Sequence, residues 1–415
     1  MTRAAQVSGK EIREALNRRF RSDHGRVIAA LTRRFGVQRI ALIENAVQDA
    51  YVRALEHWSH AGSPDQPERW LVAVAHNLMV DALRGEHVAE PLDAAAETAI
   101  EPPALERDDE LRLMFFCCTP ALARAAQIAL VLNVFFGLSA RQIASAFLTD
   151  ERAVAQRIVR AKQHLREAGS PFDFPVAAEL PLRLAAIQDV LYLLFTEGHN
   201  PTEDDDALSV GLCSEALRLV RLLTDSFSAA IPANFALRAL MCFHAARFPA
   251  RMANDGSLLL IAEQDRTLWD RELTAEAFMC LGQAGTGDQL TRFHVEAGIA
   301  ACHAAAPSYA ATDWARIVDL YDLLRQLAPS LVVDVNRALA LAMRSGAQAG
   351  LDELDGIPER EVLRRYPYAL AAYADLHASL GNLEDARSYL DRALENQNSP
   401  AQRALLTRKR SALER

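Results

Sequence analysis

Apolar residues recur at helical spacing along most of the chain. In the N-terminal part they stand three or four residues apart, which places them on one face of an α-helix. This stripe consists of Ile43, Val47, Ala50, Tyr51, Ala54, Leu55 and Trp58. The other face is polar and carries Glu44, Gln48, Asp49, Arg53 and Glu56. We therefore predict an amphipathic helix that ends at a turn over residues 61–64.

A second helix follows this turn and carries two stripes. The apolar stripe, which we expect to face the core, consists of Leu71, Ala75, Leu78, Met79 and Ala82. A neighbouring face carries Trp70, Val74, Asn77 and Asp81. A tryptophan, an amide and a carboxylate on one face are unusual for plain core packing. Spacing alone leaves two interpretations open: a functional face, or a half-buried Trp70 beside a surface Asn77.

Residues 137–165 follow the plan of a helix-turn-helix. Ser139 and Gln142 form a capping box that starts a short helix, and Thr149 in the turn can cap the next helix. The predicted buried stripe of the second helix consists of Val154, Ile158, Ala161 and Leu165. Its opposite face carries Arg152, Gln156, Arg157 and Arg160. In the major groove Arg reads guanine and Gln reads adenine, so this face predicts DNA binding. An ordinary helical hairpin with a solvated basic face is the alternative.

Breaks in the pattern divide the chain. Pro and acidic residues cluster at residues 90–106, and a Gly-Ser-Pro break starts at Gly169. Near the end, Gly346 and Gly381 stand 35 residues apart, a spacing typical of tetratricopeptide (TPR) helix pairs. We predict an all-α, multi-domain protein with a helical bundle over residues 1–90, a linker over 91–106, a helix-turn-helix domain over 107–169 and a TPR-like helical repeat domain over 170–415.

The composition excludes several classes of protein. Hydrophobic residues make up 51% of the chain and charged residues 24%, which excludes disorder over most of it. The net charge of −9 argues against a general coat for nucleic acid. Residues 1–90 and 107–168 are nevertheless mildly basic, whereas residues 169–415 hold 23 basic and 33 acidic residues. No stretch of 18 apolar residues exists, so we expect no membrane contact. The six cysteines lack CxxC spacing and are expected to be thiols in a reducing cytoplasm.

Sequence motifs for catalysis are missing. There is no phosphate loop, nucleophile elbow or HExxH motif. Cys242 and His244 could ligate a metal, but no second pair stands at zinc spacing. The acidic run at residues 203–206 fits the start of a helix better than a cation site. We therefore expect no enzyme activity, no cofactor and no metal.

These segments, in this order, resemble a bacterial sigma factor of the extracytoplasmic-function type. Residues 43–55 are similar to the region-2 helix that grips the polymerase clamp, residues 70–84 to the promoter-reading helix, and residues 137–165 to region 4. The segments that resemble the subgroup with a long TPR-like C-terminal extension are 191–200, 212–219, 263–270 and 312–322. The resemblance implies a factor that joins core RNA polymerase, recognises a bipartite promoter and helps to open the duplex.

The resemblance also implies which residues act. The set expected to contact core RNA polymerase is Gln48, Asp49 and Arg53. Asn77 would line the pocket for a base flipped out of the minus-ten element, with Trp70 nearby. The set expected to meet the minus-thirty-five element is Arg152, Gln156, Arg157 and Arg160. Trp70 and Lys162 are also expected to bind promoter DNA. His76 stands where the family usually has Arg, which weakens the expected phosphate contacts.

The acidic extension is expected to bind a protein partner or another segment of this chain, in place of a separate anti-sigma factor. The alternative to the whole interpretation is a non-sigma helical-repeat scaffold with an incidental helix-turn-helix. Capture of core polymerase by the protein separates the two.

Overall fold

The structure is a computed structural model that describes residues 23–86, 102–146, 149–168, 172–199, 206–226, 229–253, 258–358, 360–397 and 399–414. Regular secondary structure in these residues is helical, apart from one isolated bridge between Met252 and Leu258. This confirms the predicted all-α class. The helices are α1 (residues 23–35), α2 (Ile40–Ala61), α3 (Pro67–Glu86), α4 (Arg107–Cys117), α5 (Arg124–Phe136), α6 (Ala140–Ala146), α7 (Glu151–Ala168), α8 (Leu180–His199), α9 (Asp206–Asp225), α10 (Pro232–Ala245), α11 (Arg271–Ala284), α12 (Arg292–Ala305), α13 (Trp314–Leu327), α14 (Leu331–Ser345), α15 (Ala347–Asp355), α16 (Arg360–Leu363), α17 (Pro367–Ser379), α18 (Leu383–Asn396) and α19 (Pro400–Ala412).

The chain divides into two compact units, formed by residues 1–200 with 207–222 and by residues 201–206 with 223–415. In the first unit α2 packs on α3. The predicted stripe of α2 is buried from Ile43 to Trp58, except for Leu55, which is 39% exposed. Leu71, Ala75 and Met79 of α3 are buried as predicted. Periodicity therefore places the core faces of both helices, although Leu55 is exposed and Leu78 and Ala82 are only partly buried.

The boundary predicted at residue 170 does not separate the compact units. Arg183 at the start of α8 donates to the carbonyl oxygen of Phe115 in α4, at 2.8 Å. Arg218 of α9 donates to both carboxylate oxygens of Glu110 in α4, at 2.6 and 3.0 Å. Glu110 is only 2% exposed. These polar contacts hold α8 and much of α9 against α4, so the described residues 172–199 and 207–222 belong to the first unit.

The second unit consists of helices that pack as neighbours in sequence. α14 packs on α15, and α17 packs on α18. Gly346 and Gly381, at the turns of these two pairs, have φ angles of +98° and +80°, which favour glycine. A Cβ atom on Gly350 would lie 2.6 Å from the Cβ of Ala342, so α15 approaches α14 closely. The glycines predicted to mark a repeat therefore lie at helix turns.

Some predictions fall on residues outside the description. Residues 91–101 of the predicted linker and the break at residues 169–171 are among them, while residues 102–106 have no regular secondary structure. All six cysteines are free thiols, and five of them are buried. In the described part of the chain, no helix is both long enough and apolar enough to cross a membrane.

Candidate nucleic-acid and polymerase interfaces

The pair of helices α6 and α7 starts with two local caps. Ser139 and Gln142 form the predicted capping box: the backbone N–H of Ser139 donates to Gln142 Oε1 at 3.0 Å, and that of Gln142 donates to Ser139 Oγ at 3.2 Å. At the start of α7, Asp150 Oδ1 accepts from the backbone N–H of Ala153 at 2.8 Å. The cap is therefore Asp150 and not Thr149, because the helix begins one residue later than predicted.

The two faces of α7 lie where the sequence placed them. Val154, Ile158, Ala161 and Leu165 are all buried. The exposed face carries four of the predicted DNA-contacting residues, namely Arg152, Gln156, Arg157 and Arg160. No carboxylate among the described residues pairs with any of the three arginines. Val159 is 64% exposed between them and was missed, because an apolar residue outside the buried stripe gave no signal.

Lys162 lies elsewhere than predicted. Its Nζ donates to both carboxylate oxygens of Glu44 in α2, at 2.6 and 2.8 Å, and to Asn133 Oδ1 in α5, at 2.6 Å. Asn133 in turn donates from Nδ2 to the carbonyl oxygen of Leu138 at 2.9 Å. Glu44, which the sequence placed on the polar face of α2, is 8% exposed. We name Glu44, Asn133 and Lys162 the Lys162 clasp; it joins α2 to α5 and α7 and turns Lys162 away from the exposed face.

The surroundings of the clasp are apolar, and the pKa values of its neighbours reflect this. Burial raises the pKa of Glu44, although the ammonium of Lys162 opposes the shift. Burial, assisted by Lys162, lowers the pKa of His24 to about 3. Burial raises the pKa of the Cys117 thiol well above its ordinary value. The clasp is thus a polar connection inside a core that disfavours charge.

Three further contacts join α1 to the helices of the second predicted domain. Arg26 Nε lies 3.5 Å from Glu110 Oε2, and Arg33 Nε lies 3.3 Å from Asp109 Oδ2. A Cβ atom on Gly25 would lie 2.5 Å from the ring of Phe135, so only glycine fits there without displacing the aromatic side chain. The bundle of α1 to α3 and the helix-turn-helix pair are therefore packed together in this conformation.

The predicted polymerase-binding residues lie on an open face of α2. Gln48, Asp49 and Arg53 are exposed. Val52 and Leu55 are exposed beside them, at 53% and 39%. Exposed aliphatic side chains among polar ones are typical of a surface that binds another protein. Glu44 lies one turn before Gln48 but is removed from this face by the clasp.

The second stripe of α3 combines an anchor with an open position. Trp70 is half-buried; its ring packs edge-to-face on Trp58, with ring centres 5.3 Å apart, and stacks on His57 at 6.0 Å. Asn77 is exposed two turns further along the same face. His76 is buried against Phe35, with ring centres 5.3 Å apart, and burial lowers its pKa. The packing of Trp70 agrees with an anchoring role, while the exposure of Asn77 leaves its amide accessible.

Comparisons with known proteins agree with this arrangement. Residues 20–87 match the family model for sigma-70 region 2, residues 112–165 match that for sigma-70 region 4, and residues 183–285 match a family of unknown function, DUF6596. The chain is 38% identical over 386 residues to the uncharacterized protein R00370 of Rhizobium meliloti (strain 1021), and the match covers 88% of each chain. It is 30% identical over 150 residues to the RNA polymerase sigma factor NccH of Alcaligenes xylosoxydans xylosoxydans, which is 34% of this chain and 80% of that protein.

No solved structure matches the chain. Regions 2 and 4 occur in one chain and in this order, and NccH, of which the match covers 80%, carries the name of a sigma factor. The chain therefore belongs to the sigma-70 family.

Proposed function

We propose that the protein is a sigma factor of the extracytoplasmic-function type that directs core RNA polymerase to specific promoters and assists the initiation of transcription. In this role it is not an enzyme, because the polymerase performs the chemistry. The relative NccH carries the name of a sigma factor, and its match with this chain covers 80% of that protein. The finer assignments below extend the family membership to individual residues.

The exposed face of α7 is the observation that carries the proposal. Arginine and glutamine side chains project there without carboxylate partners among the described residues, above a fully buried apolar stripe. A helix of this kind fits the major groove, where Arg157 and Gln156 can read base edges. Val159, exposed among them, can contact the methyl group of thymine. We assign this face to the minus-thirty-five element.

Region 2 supplies the other contacts. The exposed face of α2, with Gln48, Asp49 and Arg53, is assigned to core polymerase. Asn77 is assigned to a base flipped out of the minus-ten element, because its exposed amide can hydrogen-bond a base edge. Trp70 is assigned to holding α3 on α2 beneath this position, through its contacts with Trp58 and His57.

Promoter binding requires the Lys162 clasp to open. The two promoter elements are separated by about 25 base pairs, or roughly 85 Å at 3.4 Å per base pair. The clasp holds α2 and α7 together through a contact of 2.6 Å. The described conformation is therefore assigned to the protein before it joins polymerase. Opening frees Lys162 to meet a phosphate, which reconciles the predicted DNA contact with the observed ion pair.

The extension is proposed to take part in assembly of the active complex. Its first two helices are held on α4 by Arg183 and Arg218, so this part stands in the same compact unit as region 4. The helix pairs α14–α15 and α17–α18 support the proposal of a TPR-like domain, a fold that would suit an extended protein partner.

Run-off transcription tests the proposal directly. Purified core polymerase is incubated with the protein and a library of promoter fragments, and we expect transcripts from a specific subset that core alone does not produce. Capture of core polymerase by the protein is measured in parallel. If the protein neither yields transcripts nor binds core, the scaffold alternative replaces the sigma-factor assignment.

A further inference from the structure

The second compact unit contains cationic and aromatic side chains that the proposed function does not use. Two guanidinium groups contact one tryptophan: the Cζ atoms of Arg266 and Arg247 lie 4.7 and 5.6 Å from the centre of the Trp269 ring. Nearby, His303 packs edge-to-face on Trp314, with ring centres 5.3 Å apart. We name these five residues the arginine–tryptophan cluster.

The hydrogen bonds of the two arginines go to neutral acceptors. Arg247 donates from Nε to Gln264 Oε1 at 3.1 Å. Arg266 donates from Nη1 to the carbonyl oxygens of His303 and Ala306, at 2.5 and 2.8 Å, and so satisfies the end of α12. Carbonyl oxygens do not neutralise a guanidinium, so the cluster keeps its positive charge.

The nearby carboxylates in the described part of the chain are used elsewhere. Glu263 pairs with Arg408 at 2.8 Å. Asp265 accepts from the backbone N–H of Thr267, and Asp270 caps the start of α11. No ion pair in the described part of the chain joins a carboxylate to Arg247 or Arg266, although this segment of the protein is acidic overall.

Burial and mutual repulsion are visible in the pKa values of the cluster. Burial, with Arg251 and Arg266, lowers the pKa of Arg247 to about 10. Burial, with Arg247 and Arg266, lowers the pKa of His303 to about 4. Both shifts run in the direction expected when no anion is near.

The cluster also holds donors that lack an acceptor among the described residues. These buried atoms are Arg266 Nη2, Trp269 Nε1 and Trp314 Nε1. Buried donors are normally paired, because an unpaired one is costly. Arginine and tryptophan donate only, so what is missing here is an acceptor and not a further donor.

A cavity of about 380 Å³ adjoins the cluster. Arg266 and Trp269 form part of its wall, together with Arg271, Thr274 and Phe278. Its volume is that of a small-molecule site rather than a macromolecular groove. Its lining includes the guanidinium groups of Arg266 and Arg271 and the aromatic side chains of Trp269 and Phe278.

We propose that this cavity binds a small organic or inorganic oxyanion, through a carboxylate or phosphate group held by Arg266. Guanidinium groups bind both kinds of oxyanion in pairs of charge-assisted hydrogen bonds. The anion supplies the acceptor and the negative charge that the cluster lacks. The extension then carries a ligand site of its own, in addition to any contact with polymerase.

Isothermal titration calorimetry of the full-length protein tests this site. Inorganic phosphate and succinate are titrated separately, at an ionic strength held constant with sodium chloride. We expect saturable binding of one molecule per chain for at least one of them, and the responding anion distinguishes a phosphate from a carboxylate site. Arg247→Gln and Trp269→Phe, which remove a charge and a donor, should weaken binding tenfold or more.

The matched control is Arg325→Gln. Arg325 lies in the same compact unit but already pairs with Asp334 at 2.7 Å and Glu353 at 3.2 Å, so its substitution should leave binding unchanged. Trp269→Phe keeps an aromatic ring in place and serves if Arg247→Gln fails to fold. Absence of saturable binding by both anions, or binding that both cluster variants leave unchanged, overturns the proposal. Neither polymerase nor DNA is present, so the result is independent of the proposed function.

Discussion

Separate and combined substitution of Glu44 and Lys162 measures what the clasp contributes. Glu44→Leu leaves the ammonium of Lys162 with Asn133 alone, and Lys162→Met leaves the carboxylate of Glu44 bare. The two side chains are only 10% and 19% exposed, so water compensates little. Removal of one partner from a buried ion pair costs about 3–5 kcal/mol, and the partial exposure of Lys162 places this case near 3 kcal/mol.

The double variant should behave differently from both single variants. Burial raises the pKa of Glu44 in spite of Lys162, so burial of the charge outweighs the attraction. An apolar pair of similar volume avoids this cost and should bring stability back to within about 1 kcal/mol of the original. For a unit of this size, 3 kcal/mol corresponds to a fall of roughly 6–12 °C in Tm.

Thermal unfolding followed by circular dichroism gives the stabilities of the original protein, the two single variants and the double variant, which together form a double-mutant cycle. Glu56→Leu is the control, since Glu56 lies on the same helix but is exposed. If the single substitutions cost no more than Glu56→Leu and the double variant shows no recovery, the clasp does not hold α2 to α7.

Four further results are expected. Arg157→Ala should weaken binding to the cognate minus-thirty-five duplex by about 1–3 kcal/mol in an electrophoretic shift assay, and should leave binding to a scrambled duplex almost unaffected. Equal losses of affinity for the two duplexes would make Arg157 a phosphate contact. Asn77→Ala should preserve polymerase binding but reduce permanganate reactivity of thymines in the melted region, and unchanged reactivity removes Asn77 from the opening step. The pKa of His24 falls from 6.5 to about 3 on folding, so the unfolded chain binds a proton at His24 first as the pH falls. Proton binding stabilises the unfolded chain, so Tm should decline from pH 7 to pH 5. His24→Gln should make that decline smaller. A chain that ends at residue 169 loses the contacts of Arg183 and Arg218. It should unfold at a lower temperature, and yield less run-off transcript, than a chain that ends at residue 226. Equal Tm values for the two chains would show that α8 and α9 do not support α4.

Local features of the sequence were sufficient to predict the helix faces. The buried stripe of α7 and the exposed Arg157 on its other side follow from a period of 3.6 residues, which needs no knowledge of the partner helix. The turns at Gly346 and Gly381 follow from the tolerance of glycine for positive φ. Spacing alone left Trp70 ambiguous, and its contacts with neighbouring aromatic rings could not be read from that spacing.

Tertiary contacts between distant residues could not be predicted in the same way. Lys162 stands beside Arg160 in a basic helix and looks like another DNA contact, but its partner Glu44 is 118 residues away in the chain. Leu55 continues an apolar stripe and is nevertheless 39% exposed, although Trp58 beyond it is buried. In both cases the outcome depends on which helix packs alongside, and periodicity carries no information about that.

The same reasoning explains why functional regions and stable units differ in this protein. Glu110 of α4 receives Arg26 from α1 and Arg218 from α9, at 3.5 and 2.6 Å. One buried carboxylate therefore balances a cation from region 2 and a cation from the extension. Loss of either arginine leaves the other with the whole negative charge of Glu110. A change in the extension therefore alters the packing of region 2, and Glu110 of α4 transmits the effect. The first helices of the extension are for this reason a structural part of the first compact unit.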